Sequence, residues 1–167
     1  MKVWGMGEYM GKEIAHNDLE KMLRQGYDIQ VKPHGYSMYP LIVPGRDAVI
    51  VEKANPSRLK RGDVVLYRRD HGILVLHRIC KIRKDGVYLV GDNQSDVEGP
   101  LRPDQIKGRM TVVMRNGRDI PVDDFRYRLL TGLWLFLLPV RDPIKDVAHW
   151  FKEGFLGIRK WVLNLRH

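Results

Sequence analysis

Ser37 stands in the run Pro33-His34-Gly35-Tyr36-Ser37-Met38-Tyr39-Pro40, two places after a glycine and three before a proline. Gly35 relaxes the backbone and Pro40 fixes the exit, so the spacing predicts a turn that presents a hydroxyl. A serine hydroxyl is a weak nucleophile at neutral pH and needs a general base. Six histidines could supply one. His16, His149 and His167 fall in terminal segments, His34 adjoins the turn, and His71 lies in the charged stretch Arg69-Asp70-His71-Gly72. His77 differs: it sits in an apolar run between Leu76 and Arg78, where an unpartnered imidazole is costly to bury. Histidine can take a serine proton and return it to a leaving amine. It does so best when a carboxylate or carbonyl holds its second nitrogen. The acid-rich stretch carrying Asp92, Asp96 and Glu98 is the natural source of that carboxylate.

The elements that must position these groups are short. Leu19, Met22 and Leu23 share one face of a short helix that Asn17 or Asp18 can cap and Gly26 ends. Residues 27 to 32 alternate apolar and polar, as a half-buried strand leading into the serine turn does. Leu41-Ile42-Val43 is apolar and runs into the turn signal Pro44-Gly45. Further strands are expected over Ala48 to Glu52, Val64 to Tyr67 and Ile73 to Ile82. In the last of these, Ile73, Val75, His77, Ile79 and Lys81 fall on one face. Asp85-Gly86 joins that run, hairpin fashion, to Val87-Tyr88-Leu89-Val90, and Met110 to Met114 precedes a second hairpin signal, Asn116-Gly117. The pattern predicts a mainly β fold, with an N-terminal extension over residues 1–26, a β-rich core over 27–122, and a basic helical region over 123–167.

The chain has 167 residues, enough for one core and an appendage, and a formal charge of +9 that favours an acidic partner. A single cysteine, Cys80, excludes an internal disulfide scaffold and cannot hold a metal cluster alone; neither cofactor nor metal is expected. No uncharged run is long enough to span a bilayer, and Glu8, Lys12 and Glu13 interrupt any secretory h-region. Residues 125–167 hold three of the four tryptophans, and eight Lys or Arg against three Asp or Glu. The run from Leu129 to Val140 is uncharged and flanked by Arg126, Arg128 and Arg141. Val147, Trp150, Phe151 and Phe155 recur at helical spacing. Such a region suits either an anionic membrane surface or helices that cover an open face of the β-core. The expected location is therefore peripheral to a membrane or cytoplasmic. The charge has no aromatic-basic recognition motif beside it, which argues against nucleic acid.

Several boxes in order carry a resemblance. Gly35-Tyr36-Ser37-Met38-Tyr39-Pro40 resembles the G-x-S-M-x-P box of the type I signal peptidases and of the self-cleaving repressor proteases. Arg61-Gly62-Asp63-Val64-Val65 resembles their G-D-[IV]-V strand start, and Val75-Leu76-His77-Arg78-Ile79 the V-x-H-R-[IV] box of the serine–histidine branch. Gly91-Asp92-Asn93 is similar to the G-D-N box, and Ile106-Lys107-Gly108-Arg109 to the closing I-x-G-[RK] strand. Each is weak alone; in this order, over residues 31–114, they are specific. The resemblance implies a signal-peptidase-like β-rich core with Ser37 as nucleophile and His77 as general base.

Three departures shape the expectation. The family acid follows G-D-N by a few residues and is normally aspartate; register favours Glu98 here, with Asp96 and Asp92 as the alternatives. Many family members carry a serine two places before the nucleophile as an oxyanion donor, where this chain has Gly35, so the Ser37 backbone N–H must serve. The N-terminal membrane anchor typical of signal peptidases is not evident. By the same resemblance Gly35, Met38, Leu41, Ile42 and Val64 are candidates for the substrate cleft. The implied activity is a serine endopeptidase that cuts leader or signal-type peptides through an acyl-enzyme. The alternatives are a repressor-like protease that cuts itself or a partner, and a non-catalytic module that binds lipid or a partner on the same fold.

Overall fold

The structure is a computed structural model that describes residues 2–3, 16–70 and 72–140. The fold is mainly β, with a short helix before the core and a second after it. The strands are β1 (Lys2–Val3), β2 (Asp28–Val31), β3 (Asp47–Lys53), β4 (Val64–Arg68), β5 (Leu74–Arg83), β6 (Gly86–Val90), β7 (Glu98–Leu101), β8 (Ile106–Arg115) and β9 (Arg118–Pro121). They form one sheet in the order β1-β2-β3-β8-β4-β5-β6-β7, with β9 paired to β8. Every pairing is antiparallel except β1 with β2. Helix α1 spans His16–Arg24 and α2 spans Phe125–Phe136.

The alternation of apolar residues places the core on both faces of the sheet. One cluster joins Leu23 of α1, Ile29, Met38, Ile42, Val49, Val51, Val64, Leu66, Leu76, Met110 and Val113. The other joins Leu59, Val65, Tyr67, Ile79, Leu89, Leu101 and Ile106. Helix α1 begins at His16, so Asn17 and Asp18 lie inside its first turn rather than at its cap. Its end is a Schellman motif: Gly26 N–H donates to Leu23 O, Tyr27 N–H donates to Met22 O, and Gly26 takes φ +85°. The buried Glu20 of α1 pairs with Arg68 at the end of β4.

Most strands lie where the sequence places them, and three features differ. Strand β1 is present at the N-terminus. Strand β7 occupies a stretch for which no strand is expected from the sequence. It tolerates Gly99 and Pro100 because it closes the sheet edge, where a missing N–H leaves no ladder bond unmade. A β-carbon on Gly99 would meet Val87 O at 2.8 Å, so the two edge strands approach too closely for a side chain there. Third, the β5–β6 register steps between Ile79 and Lys81. This bulge removes Lys81 from the face that His77 and Ile79 share.

The chain divides into a compact unit through Leu135 and a second unit from Phe136. Strand β1, helix α1 and most of α2 lie in the unit that holds the β-core. Tyr127 packs on the first core cluster, and Thr131 and Leu135 are buried. Trp134 Nε1 donates to Asp92 O at 2.8 Å. These contacts fasten α2 to the sheet. Among the described residues no helix is long and apolar enough to cross a membrane. The helical periodicity expected around Trp150 and Phe155 lies outside the described residues.

Candidate active site

Ser37 sits in a tight turn between β2 and β3. Tyr39 N–H donates to Tyr36 O at 3.1 Å and Ile42 N–H to Met38 O at 2.9 Å. Met38 and Ile42 are driven into the first core and pin the turn, while Tyr36 and Tyr39 stay exposed and Ser37 half-exposed. Gly35 takes φ +79°, a conformation a serine would hold only under strain. A serine at position 35, where the resembled peptidases carry an oxyanion donor, would therefore be strained on this backbone. The Ser37 N–H donates to no acceptor among the described residues, which leaves it open to an incoming oxygen.

A second element holds the turn from below. Asn93 N–H donates to Ser37 O at 2.8 Å, and a β-carbon on Gly91 would stand 2.7 Å from that same oxygen. The glycine of the Gly91-Asp92-Asn93 box is thus required because another backbone approaches closely. Asp92 is wholly buried and takes both ends of the Arg78 guanidinium, at 2.8 and 2.7 Å. Arg78 also donates to Gly62 O at 2.8 Å, which ties in the Arg61-Gly62-Asp63 turn. One buried ion pair joins β5, the loop after β6 and the turn before β4. Asp92 is therefore committed to Arg78, and its backbone carbonyl receives Trp134.

His77 lies on the face of β5 opposite Arg78, only 2% exposed, with Val65 across from it on β4. Strand pairing brings the other groups to the same face. Ile79 pairs with Leu89, and Leu89 with Glu98, so Glu98 shares the side of Ile79 and His77. Glu98 Oε1 is 3.2 Å from His77 Nδ1. Tyr67 Oη is also 3.2 Å from Nδ1, and its hydroxyl donates to Glu98 Oε2 at 2.7 Å. The Arg69 guanidinium closes on both Glu98 oxygens, through Nε to Oε2 at 2.9 Å and Nη2 to Oε1.

This network assigns the imidazole tautomer. The single Tyr67 proton is given to Glu98, so Tyr67 Oη and Glu98 Oε1 both face Nδ1 as acceptors. The proton then belongs on Nδ1, and Nε2 keeps its lone pair as a base. Burial lowers the His77 pKa below its ordinary 6.5; Glu98 pulls it up, Arg69 pushes it down, and the net direction is down. Burial pushes the Glu98 carboxyl up, but Arg69, Tyr67 and His77 outweigh it and hold the carboxyl below its ordinary value. The Tyr67 hydroxyl is pushed well up, by burial first and then by Glu98.

Of the three acids read from the sequence, only Glu98 lies against His77. Asp96 is exposed, with no hydrogen bond or ion pair among the described residues. Ser37 Oγ makes no hydrogen bond to His77 in this structure; the Asn93 and Arg78–Asp92 contacts are what link their elements. Met38, Leu41, Ile42 and Val64 are all buried, the first, third and fourth within the first core cluster. They support the turn and β4 from inside rather than offering open cleft surface. Tyr67 and Arg69 were not singled out from the sequence. Tyr67 reads as one more apolar strand residue, and Arg69 as part of a charged loop. Among the described residues no group of three His, Cys, Asp or Glu could hold a metal ion. Comparisons with protein-family models, with curated proteins and with solved structures found no match.

Proposed function

We propose that this chain is a serine endopeptidase that cleaves leader or signal-type peptides. The observation that carries the proposal is the His77 imidazole, held at Nδ1 by Glu98 and Tyr67 with Nε2 left basic. The loop after β6 holds the Ser37 backbone next to Asp92, the partner of the following residue, Arg78. In the reaction Ser37 Oγ attacks the scissile carbonyl and gives its proton to His77 Nε2. The Ser37 N–H receives the developing oxyanion. Collapse expels the amine, which takes the proton from His77, and water then resolves the acyl-enzyme by the same route reversed. The Ser37–His77 hydrogen bond forms with substrate in place, as catalytic contacts often do.

The test is reaction with a serine-directed acylating probe across about pH 5 to 9, for wild type beside Ser37→Ala and His77→Ala. Labelling confined to Ser37 and lost in both variants supports the reading. Equal labelling in all three overturns it. Mass spectrometry of the purified chain over time separates a self-cleaving protease, which leaves two defined fragments.

A membrane-contacting role has its own support. Helix α2 turns Phe125, Leu129, Leu130, Leu133 and Phe136 to solvent, beside exposed Arg126 and Arg128. Apolar rings and cations on one helix are what an anionic bilayer surface accepts. Flotation with anionic vesicles, reduced with zwitterionic ones and lost in Leu129→Asp/Leu133→Asp, is the expected outcome. Equal flotation of the variant and the wild type argues against contact through α2.

A further inference from the structure

We propose that Arg69 is a positioning residue for His77, acting through Glu98: its fork keeps the carboxylate shared between a guanidinium and the imidazole, with Tyr67 Oη bridging the two. This rests on the peptidase reading above.

The geometry makes the sharing explicit. Glu98 offers two oxygens. Oε2 accepts from Tyr67 Oη and from Arg69 Nε, and Oε1 accepts from Arg69 Nη2 while standing 3.2 Å from His77 Nδ1. Because the guanidinium is planar and delocalised, one side chain fixes both the position and the plane of the carboxylate. The oxygen nearest His77 is therefore oriented by a cation and by a phenol, neither of which touches Nε2. A carboxylate given wholly to the imidazole would hold its proton more strongly and make it a poorer donor to a leaving amine. A carboxylate balanced by Arg69 fixes the ring and its tautomer without trapping the charged form.

The charged and titratable groups around His77 are few. Glu98 comes from β7, Tyr67 from β4 and Arg69 from just past the end of β4. Asp92, from the loop after β6, acts at longer range and is already paired with Arg78. Val65, opposite His77 on β4, is apolar. Of these, Arg69 is the one cation that opposes protonation of the ring, and it is partly exposed, so its removal leaves the two core clusters intact.

The experiment uses the full-length chain with Arg69→Gln, Arg69→Lys and Arg69→Met. The His77 ring is titrated by NMR, and probe labelling of Ser37 is followed over the same pH range. Arg69→Gln is expected to raise the His77 midpoint, and the acid limb of labelling with it, by about one pH unit. Arg69→Lys keeps a charge without the fork and returns the midpoint toward wild type. Arg69→Met repeats the measurement should the glutamine variant not fold. A midpoint in Arg69→Gln or Arg69→Met equal to or below that of wild type overturns the proposal. The two readings fail separately. A His77 midpoint that depends on Arg69, in a protein whose Ser37 takes no probe, sinks the peptidase and leaves the coupling. A labelled Ser37 with a midpoint indifferent to Arg69 does the reverse.

Discussion

Three carboxylates within seven residues meet three different fates, and each gives a separate expectation. Glu98 faces the imidazole, so Glu98→Gln should slow labelling of Ser37 by about 10²–10⁴-fold, the range for loss of an oriented base. Asp96 faces solvent, and Asp96→Asn should change neither labelling nor stability. Asp92→Ala strands a buried arginine and should lower stability by about 3–5 kcal/mol in urea unfolding. Loss of labelling in Asp96→Asn with Glu98→Gln unaffected would reverse the assignment. The low His77 pKa has a sign as well. A histidine harder to protonate stays basic further into acid, so the acid limb of labelling should fall below pH 6.5, the ordinary value for the group. A limb above that value would mean that Glu98 prevails over burial and Arg69.

The strands were legible because β2, β3, β4 and β6 alternate or run apolar between turn residues, and the Asn116-Gly117 hairpin has both residues at positive φ, as its turn requires. Strand β7 was not, since Gly99 and Pro100 argue against any strand that is not an edge, and edges are decided by topology. The bulge in β5 was equally hidden, because periodicity cannot count an inserted residue. Ser37 and His77 stood out through a turn signal and a polar group in an apolar run, and Glu98 through the register that the resemblance at Gly91-Asp92-Asn93 implies. Tyr67 and Arg69 lie 31 and 29 positions from Glu98, and nothing local in their segments marks the pairing. The boxes themselves have element-scale reasons. Gly91→Ala would press a methyl against Ser37 O and should lower both thermal stability and labelling, whereas Gly45→Ala, with open space around it, should affect stability alone. Unchanged labelling in Gly91→Ala would show that the turn can shift without consequence.

Across the whole molecule, the segment after Ser37 is tied by charge to the end of the neighbouring strand β8. Asp47 is buried, receives Arg46, Arg115 and the Val43 N–H, and Arg115 also reaches Leu41 O. Burial pushes the Asp47 carboxyl up, but these donors outweigh it and hold it well below its ordinary 3.8. A depressed carboxylate stabilises the fold above its unfolded value and loses that contribution as pH falls toward the folded one. Urea midpoints measured from about pH 6 down to about pH 2 should therefore drop more steeply in wild type than in Asp47→Asn. Parallel curves would remove Asp47 from the account of acid sensitivity.

Strand β8 lies between β3 and β4 although it is made after both. On one side of it stand β1 to β3 with the Ser37 turn; on the other, β4 to β7 with His77 and Glu98. A ribosome releases these halves first and the strand that seams them afterwards. On the proposed peptidase reading, the order of synthesis keeps Ser37 apart from His77 and Glu98 until the seam strand has emerged. A chain stopped at Gln105 should accordingly take no probe at Ser37, and labelling of that fragment at the wild-type rate would show that the halves find each other without their seam.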